Sequence, residues 1–220
     1  MTAGFRIFPR ASSANPALLA RLAKLPVSNI SDNLQRHHGA RLKPFHRSGT
    51  VVGTAFTVKT RPGDNLVLHK AIDAAAPGDV IVVDAGGALE HAMIGELMAS
   101  WAHKRGVAGF VIDGAIRDVA AFRASDFPCF ARGVIHRGPY KTGPGIINVP
   151  VSIGGAVISP GDIVVGDEDG VVSFPPSIAE TLIAAVQAQV EREDDTLKAI
   201  REGRYESPYA RLATQNTRTS

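Results

Sequence analysis

One stretch constrains this chain more than any other: Asp84 to Asp118, reading DAGGALEHAMIGELMASWAHKRGVAGFVIDGAIRD. It reads as a strand end, a glycine-rich loop, a helix over 95–105 closed by Gly106, a buried strand from Val107 to Ile112, and an abrupt Arg117–Asp118 pair. A charged pair directly after a buried run lies at the carboxyl end of a strand, where α/β folds place ligands. The rest of the chain is expected to hold this stretch in place.

The flanking segments predict a mixed α/β domain with short strands and helices interleaved. TVVGTAFTVKT (50–60) alternates and is β-branched, which is strand patterning, and VIVVDA (80–85) is a fully buried strand. Residues 65–76 read as a helix, and 17–25 as another with Leu18, Leu22 and Leu25 on one face. Ser28 or Ser31 caps a short helix through about His38, with Gly39 as the stop. A short helix follows over 119–124, then CFARGV and 145–158 as strand. IVVGDEDGVVSF folds back as a hairpin, and 177–202 is the longest helix, ended by Gly203. Pro-Gly-Asp occurs at 62–64, 77–79 and 160–162, each a turn in which Pro presets φ and Gly takes a positive one. Similarity does not extend beyond those turns, so they are not an internal repeat. The domain is expected to span 1–220, with 1–16 as a loosely held arm and 204–220 as a mobile tail.

Bulk properties exclude some functions. A formal charge of +3 with no concentrated Lys/Arg run argues against nucleic-acid binding. The single cysteine, Cys129, rules out a disulfide within the chain and fits a reducing compartment. The N-terminus lacks an apolar signal region, and no apolar run approaches the ~20 residues of a membrane span. A soluble cytoplasmic protein is expected.

Several residues could carry chemistry. Gly86–Gly87 lets backbone approach a ligand, and the helix opening at Gly95-Glu96-Leu97-Met98 offers unpaired N–H groups to a carboxylate or phosphate. The same residues also suit a plain strand-to-helix connection. Arg117 can grip a carboxylate or a developing enolate with parallel hydrogen bonds. Asp118 can hold a hard divalent cation through one oxygen. A capping Asp and a surface Arg would leave the same trace. Glu96 can hydrogen-bond metal-bound water or act as acid or base; equally, it suits the helix dipole. Asp113 closes the strand, as a supporting carboxylate or a turn residue. Asp167 and Asp169 lack EF-hand spacing and read as a hairpin turn, His91 as surface loop, and Cys129 as core. HExxH, GxSxG, Walker and GxGxxG patterns do not occur in the sequence, and without a glycine-rich nucleotide fingerprint a methyltransferase has no support.

Glu96, a spacer of twenty residues, then Arg117–Asp118 within GFVIDGAIRD resembles the family joining 4-hydroxy-4-methyl-2-oxoglutarate aldolase with the regulator of ribonuclease activity A. The family pattern is an acidic residue or Gly, twenty residues, Arg-Asp, two more residues, then Glu or Asp. The last position here is Ala121, a departure that bears on substrate choice and not on the other three. Order and spacing agree along roughly residues 27–203, from VSNISDNL through FPCFARG to the C-terminal helix. The resemblance implies an α/β/β sandwich around a small central β-barrel of the swivelling-domain type, assembled as a trimer or dimer of trimers. It implies a metal-dependent class II aldolase that releases pyruvate from a 4-hydroxy-2-oxo acid and can decarboxylate oxaloacetate. By position, Asp118 would hold Mg²⁺ or Mn²⁺ directly, Arg117 the pyruvyl oxygen and the enolate, and Glu96 a metal-bound water. Backbone amides at Gly95, Leu97 and Met98 would take the pyruvyl carboxylate. Glu193, or next Asp194, would reach the metal's water shell from a neighbouring subunit. The family's regulators imply the alternative, a non-catalytic inhibitor of a ribonuclease.

Overall fold

The computed structural model describes residues 4–36 and 39–209. In chain order the first elements are β1 (Phe5–Ile7), α1 (Pro16–Leu22), α2 (Val27–Asn33), β2 (Gly39–Ala40), β3 (Lys43–Pro44) and β4 (Val51–Thr60). Next come α3 (Leu66–Ala74), β5 (Asp79–Asp84), α4 (Glu96–Lys104), β6 (Gly109–Ile116), α5 (Val119–Arg123) and β7 (Cys129–Val134). The last are β8 (Gly145–Ile147), β9 (Val151–Ile153), β10 (Ala156–Ile158), β11 (Ile163–Asp167), β12 (Gly170–Phe174) and, after a 3₁₀ turn at Pro176–Ile178, α6 (Ala179–Arg201).

The central strands are apolar on both faces, and successive side chains point in opposite directions. Each strand therefore feeds two cores. Val51, Ala55, Val80, Val82, Val111 and Phe130 enter one cluster. Phe56, Val58, Ile81, Val83, Phe110 and Ile112, from the same strands, enter a second under α3, α4 and α5. Ile163, Val165, Val172 and Phe174 meet Leu22, Ile30, Leu182 and Ile183 of α1, α2 and α6 in a third.

The main sheet runs β2-β12-β11-β4-β5-β6-β7-β3, with β8 pairing both β4 and β1. Strands β4 to β7 are parallel, joined by the α3, α4 and α5 crossovers. The two end strands of that path, β2 and β3, are separated only by Arg41 and Leu42, so the sheet curls until its edges approach. Val151, Ile153 and Ile158 of the separate β9–β10 hairpin contribute to the first cluster. The structure thus supplies the curl that the expected barrel needs, with no β2–β3 ladder among the described residues to close it.

Several expectations need correction. The arm over 1–16 is pinned where it is described. β1 pairs with β8, Ala14 N–H donates to Thr54 Oγ1, and the Arg10 guanidinium grips Asp79, a carboxylate with 1 % of its side chain exposed. The first helix stops at Leu22, three residues early, and α2 stops at Asn33; His38, its expected end, lies outside the described residues. The strand begun near Val107 continues to Ile116, so Asp113 lies inside it. The expected strand over 145–158 divides into three, because Asn148 takes a φ of 62° and Gly154–Gly155 form a turn. Within the expected tail, residues 204–209 are exposed without helix or strand, and 210–220 lie outside the described residues. No described helix is long and apolar enough to cross a membrane.

Arg10→Ala should lower unfolding free energy by about 1–3 kcal/mol, because it leaves the buried Asp79 carboxylate without its cation. A urea midpoint unchanged from the parent would show that the arm is not anchored this way.

Candidate active site

Parallel strands β5 and β6 end side by side, with Asp84 in register with Asp113. The glycine-rich loop leaving β5 does not stray from the sheet. Gly87 N–H donates to Asp113 C=O, Met93 N–H to Ala115 C=O, and Arg117 N–H to Ile94 C=O. This lacing carries the start of α4 to the end of β6. The β6–β7 register shifts between Ile112 and Ala115, just before the Arg117–Asp118 pair emerges.

Asp118 has φ 60° and ψ 38°, the left-handed region, where a non-glycine residue costs roughly 1–2 kcal/mol. What holds it there is its carboxylate. Oδ2 accepts the Glu96 N–H, the first of α4, at 3.0 Å. Gly95 makes room for that approach. Its backbone is ordinary extended (φ −146°), but a Cβ there would sit 2.2 Å from Asp118 Oδ2. Glycine is required here by the neighbour and not by its own dihedrals.

Asp118 accounts for the Glu96 N–H. The next N–H groups, those of Leu97 and Met98, have no acceptor among the described residues. Gly95, Leu97 and Met98 line a cleft of about 280 Å³ together with Arg117, Asp118, Asn65, His69 and Lys141. The Arg117 guanidinium is half exposed, 3.8 Å from Asp118 Oδ2, and bonded to no described carbonyl or side chain. The cleft therefore presents a guanidinium that donates no hydrogen bond to a described group and helix N–H groups without described acceptors, beside one carboxylate, a set suited to an anion next to a cation.

Asn65, His69 and Lys141 were not singled out from the sequence. Asn65 is the N-cap residue of α3 and His69 lies four residues further along it, but Lys141 comes from a distant loop. Asn65 Nδ2 donates to Met93 C=O at 2.9 Å, and Lys141 Nζ stands 3.5 Å from Asn65 Oδ1. Beneath them, the fully buried Asp64 ties both walls together. It accepts N–H groups from Leu66 (3.0 Å), Thr142 (2.7 Å) and Gly143 (2.9 Å) and the Thr142 hydroxyl (3.0 Å). Burial pushes its pKa up, but those four hydrogen bonds outweigh it and hold the carboxyl below its ordinary value.

The remaining candidates fall elsewhere. Glu96 gives its N–H to Asp118 but is not among the residues that line the cleft. On the face of α4 toward α5, Glu96, Ser100 and His103 line a hollow of about 130 Å³ with Ala121 and Ser125. Ala121, the position where the acidic pattern fails, thus lines the same hollow as Glu96. Asp113 is taken by Arg132 (Nε donating at 2.6 Å) and the Gly154 N–H, which makes it a clamp on the β9–β10 hairpin. Asp167 accepts the Val27 and Asp169 N–H groups, as a turn residue does. His91 packs on Tyr140, and Cys129 is buried, its thiol pKa pushed up by desolvation. Glu193 does not join the site within the chain. It lies on α6 against α2, where hydrogen bonds from Asn29 (2.7 Å) and Gln189 (2.8 Å) hold its carboxyl below the ordinary range. Asp194 is exposed one residue on.

For a metal, no group of three or more His, Cys, Asp or Glu side chains converges among the described residues. An all-protein cage is therefore absent from the described chain. Asp118 fits another kind of site: its second oxygen has no hydrogen-bond partner there, and the carboxylate is half exposed. One hard oxygen with room for water suits Mg²⁺ or Mn²⁺, which retain much of their hydration.

Residues 27–173 match the RraA-like family, described as Aldolase/RraA. This chain belongs to that family. A relative from Halalkalibacterium halodurans, named provisionally as a 4-hydroxy-4-methyl-2-oxoglutarate aldolase, is 42% identical over 84% of this chain and 88% of its own. Among solved structures, an uncharacterized protein from Pseudomonas syringae is 27% identical, with a TM-score of 0.78 over 88% of this chain and 96% of that one. The RNA-processing inhibitor RraA from Thermus thermophilis is 29% identical, with a TM-score of 0.63 over 69% and 93%. The RraA-like family thus reaches this chain from both a provisionally named aldolase and an inhibitor.

Two outcomes follow from this geometry. Gly95→Ala should leave the fold intact by circular dichroism yet lower Tm, since its methyl group displaces the Asp118 carboxylate from the Glu96 N–H; an unchanged Tm would show that this contact does not hold the site. Asp64 stabilises the fold through a depressed pKa, so its contribution is present above its unfolded value near 4 and is lost as pH falls through the lower folded value. Asp64→Asn should lower stability at neutral pH and flatten the loss of stability below about pH 4. An acid limb as steep as the parent's would exclude that assignment.

Proposed function

We propose that this protein is a divalent-metal-dependent carbon–carbon lyase, a class II pyruvate aldolase acting on 4-hydroxy-4-methyl-2-oxoglutarate or a related 4-hydroxy-2-oxo acid, with oxaloacetate decarboxylation as a second activity of the same site. One observation carries the reading: a half-exposed guanidinium, ion-paired with Asp118, and two helix N–H groups without acceptors among the described residues meet at a half-exposed carboxylate in one cleft. The aldolase name of the relative from Halalkalibacterium halodurans supports it.

Cleaving a 4-hydroxy-2-oxo acid between C3 and C4 leaves negative charge on the C2 oxygen of the pyruvate half. Arg117 donates hydrogen bonds to that oxygen as the charge develops, where a preformed donor lowers the barrier most. Leu97 and Met98 N–H groups receive the adjacent carboxylate at the positive end of α4. Asp118 would hold Mg²⁺ or Mn²⁺, and the bound ion would supply Lewis-acid polarisation of the keto acid. Decarboxylating oxaloacetate generates the same enolate, so the same donors serve it.

The family's assembly, a trimer or dimer of trimers, also belongs to this proposal. Leu97 is 87 % exposed at the rim of the cleft, and Leu197 and Ile200 stand exposed on the outer half of α6. A second copy would cover such surfaces and bring its own Glu193 toward the water shell of the metal. A reducing, cytoplasmic setting is consistent with the single buried thiol.

A second reading, a protein-binding inhibitor of a ribonuclease, draws on the likeness to the Thermus inhibitor. The two readings separate in one assay. Purified protein with Mg²⁺ or Mn²⁺ should release pyruvate from oxaloacetate and from 4-hydroxy-4-methyl-2-oxoglutarate, and chelation should stop it. Arg117→Ala should reduce kcat by about 10²–10³ without lowering Tm, as removal of one oxyanion donor does. Absence of metal-dependent turnover on both substrates would leave the inhibitor reading in possession.

A further inference from the structure

The donors described above account for the pyruvyl half of a substrate and leave one requirement of aldol cleavage without a residue. The C4 hydroxyl must lose its proton as the C3–C4 bond breaks. The chain holds an unassigned group in the right wall. Nε2 of His69 is the one buried side-chain nitrogen or oxygen among the described residues that has no hydrogen-bond partner. Such an orphan costs about 1–3 kcal/mol and calls for a functional explanation.

His69 lines the same cleft as Arg117, Asp118 and Lys141. Burial, and then the charge of Lys141, press its pKa below the ordinary imidazole value, with Asp73 opposing more weakly. The ring is therefore neutral at pH 7, and with its proton on Nδ1 it offers Nε2 as an acceptor. Lys141 is exposed and stands 3.5 Å from Asn65 Oδ1, and Glu96 lines the neighbouring hollow.

Resting on the lyase reading, we propose that His69 is the catalytic base of aldol cleavage, its Nε2 taking the proton of the substrate's C4 hydroxyl. The O–H electron pair becomes the second bond of the new C4 carbonyl. The C3–C4 pair moves between C3 and C2, and the C2 carbonyl pair moves onto the oxygen that faces Arg117. The imidazolium then returns its proton to C3 of the enolate, which gives the pyruvate methyl group and restores the neutral ring. Oxaloacetate decarboxylation differs at one point. Its C4 departs as carbon dioxide, no proton is taken from the substrate, and C3 of the enolate takes its proton from water, so the two activities depend unequally on this residue.

That inequality is the test. His69→Gln and His69→Ala, loaded with Mn²⁺, should lose about 10²–10⁴-fold in cleavage of 4-hydroxy-4-methyl-2-oxoglutarate. Oxaloacetate decarboxylation should fall by no more than a tenth of that factor, and added imidazole should restore part of the cleavage by His69→Ala. Should both variants fail to fold, the unsubstituted protein carries the same test. Its cleavage rate should fall as pH drops through the lowered pKa of His69, beneath the ordinary imidazole range, while decarboxylation holds to lower pH. Equal losses in both activities, or one shared pH profile, overturn the assignment. So does a parent protein that decarboxylates without cleaving. A parent protein that does neither overturns the lyase reading itself and this proposal with it.

Discussion

Asp118 sits in the left-handed region with its carboxylate against the first N–H of α4, and the rest of the site takes its place from that contact. The contact fixes one oxygen and leaves the other without a partner. It satisfies the first orphan donor of the helix and passes the next two, at Leu97 and Met98, to the cleft. It also dictates glycine at position 95, where any Cβ would strike the carboxylate. A backbone strain of roughly 1–2 kcal/mol at one residue is the cost of this arrangement.

The contact can form only because the sheet delivers both partners to one place. Parallel pairing puts the ends of β5 and β6 side by side. The connecting loop is bound along β6 by backbone hydrogen bonds from Gly87 to Arg117, so α4 starts where Arg117–Asp118 emerges. The opposite wall is set by Asp64, whose carboxylate joins the start of α3 to the loop that carries Lys141. Rigid scaffolding of this kind suits a site that must hold donors ready for charge that develops later.

The chain also resolves how one pattern of residues can serve two surfaces. Arg117 and Asp118 face one cleft, while Glu96 and Ala121 face the next. The acidic residue missing at Ala121 therefore belongs to the hollow that Glu96 lines and not to the cleft of Arg117 and Asp118. Both depressions are lined by residues of α4, which also carries the exposed Leu97 and Trp101.

Much of this was legible in the order of residues. The alternating, β-branched run at 50–60 and the apolar runs at 80–83 and 109–112 read as strands, and Pro-Gly-Asp turns and glycine stops mark their limits. Arg117–Asp118 at a strand end, spaced from Glu96, singled out the site because local patterning and spacing are properties of the chain itself. Side-chain direction and remote neighbours are not. Whether Glu96 points at Asp118 or away from it depends on how α4 rotates against α5. Asn65, His69 and Lys141 carry no local signal, because the burial and missing partner that mark His69 exist only once α3, the 139–144 loop and β6 are packed together. The same holds for the N-terminal arm, whose mixed sequence with Pro9 and Pro16 suggests freedom but whose Arg10 finds its buried partner 69 residues away. Local sequence set the elements and the charged pair, whereas long-range packing alone decided which groups share a cleft and which are left without a partner.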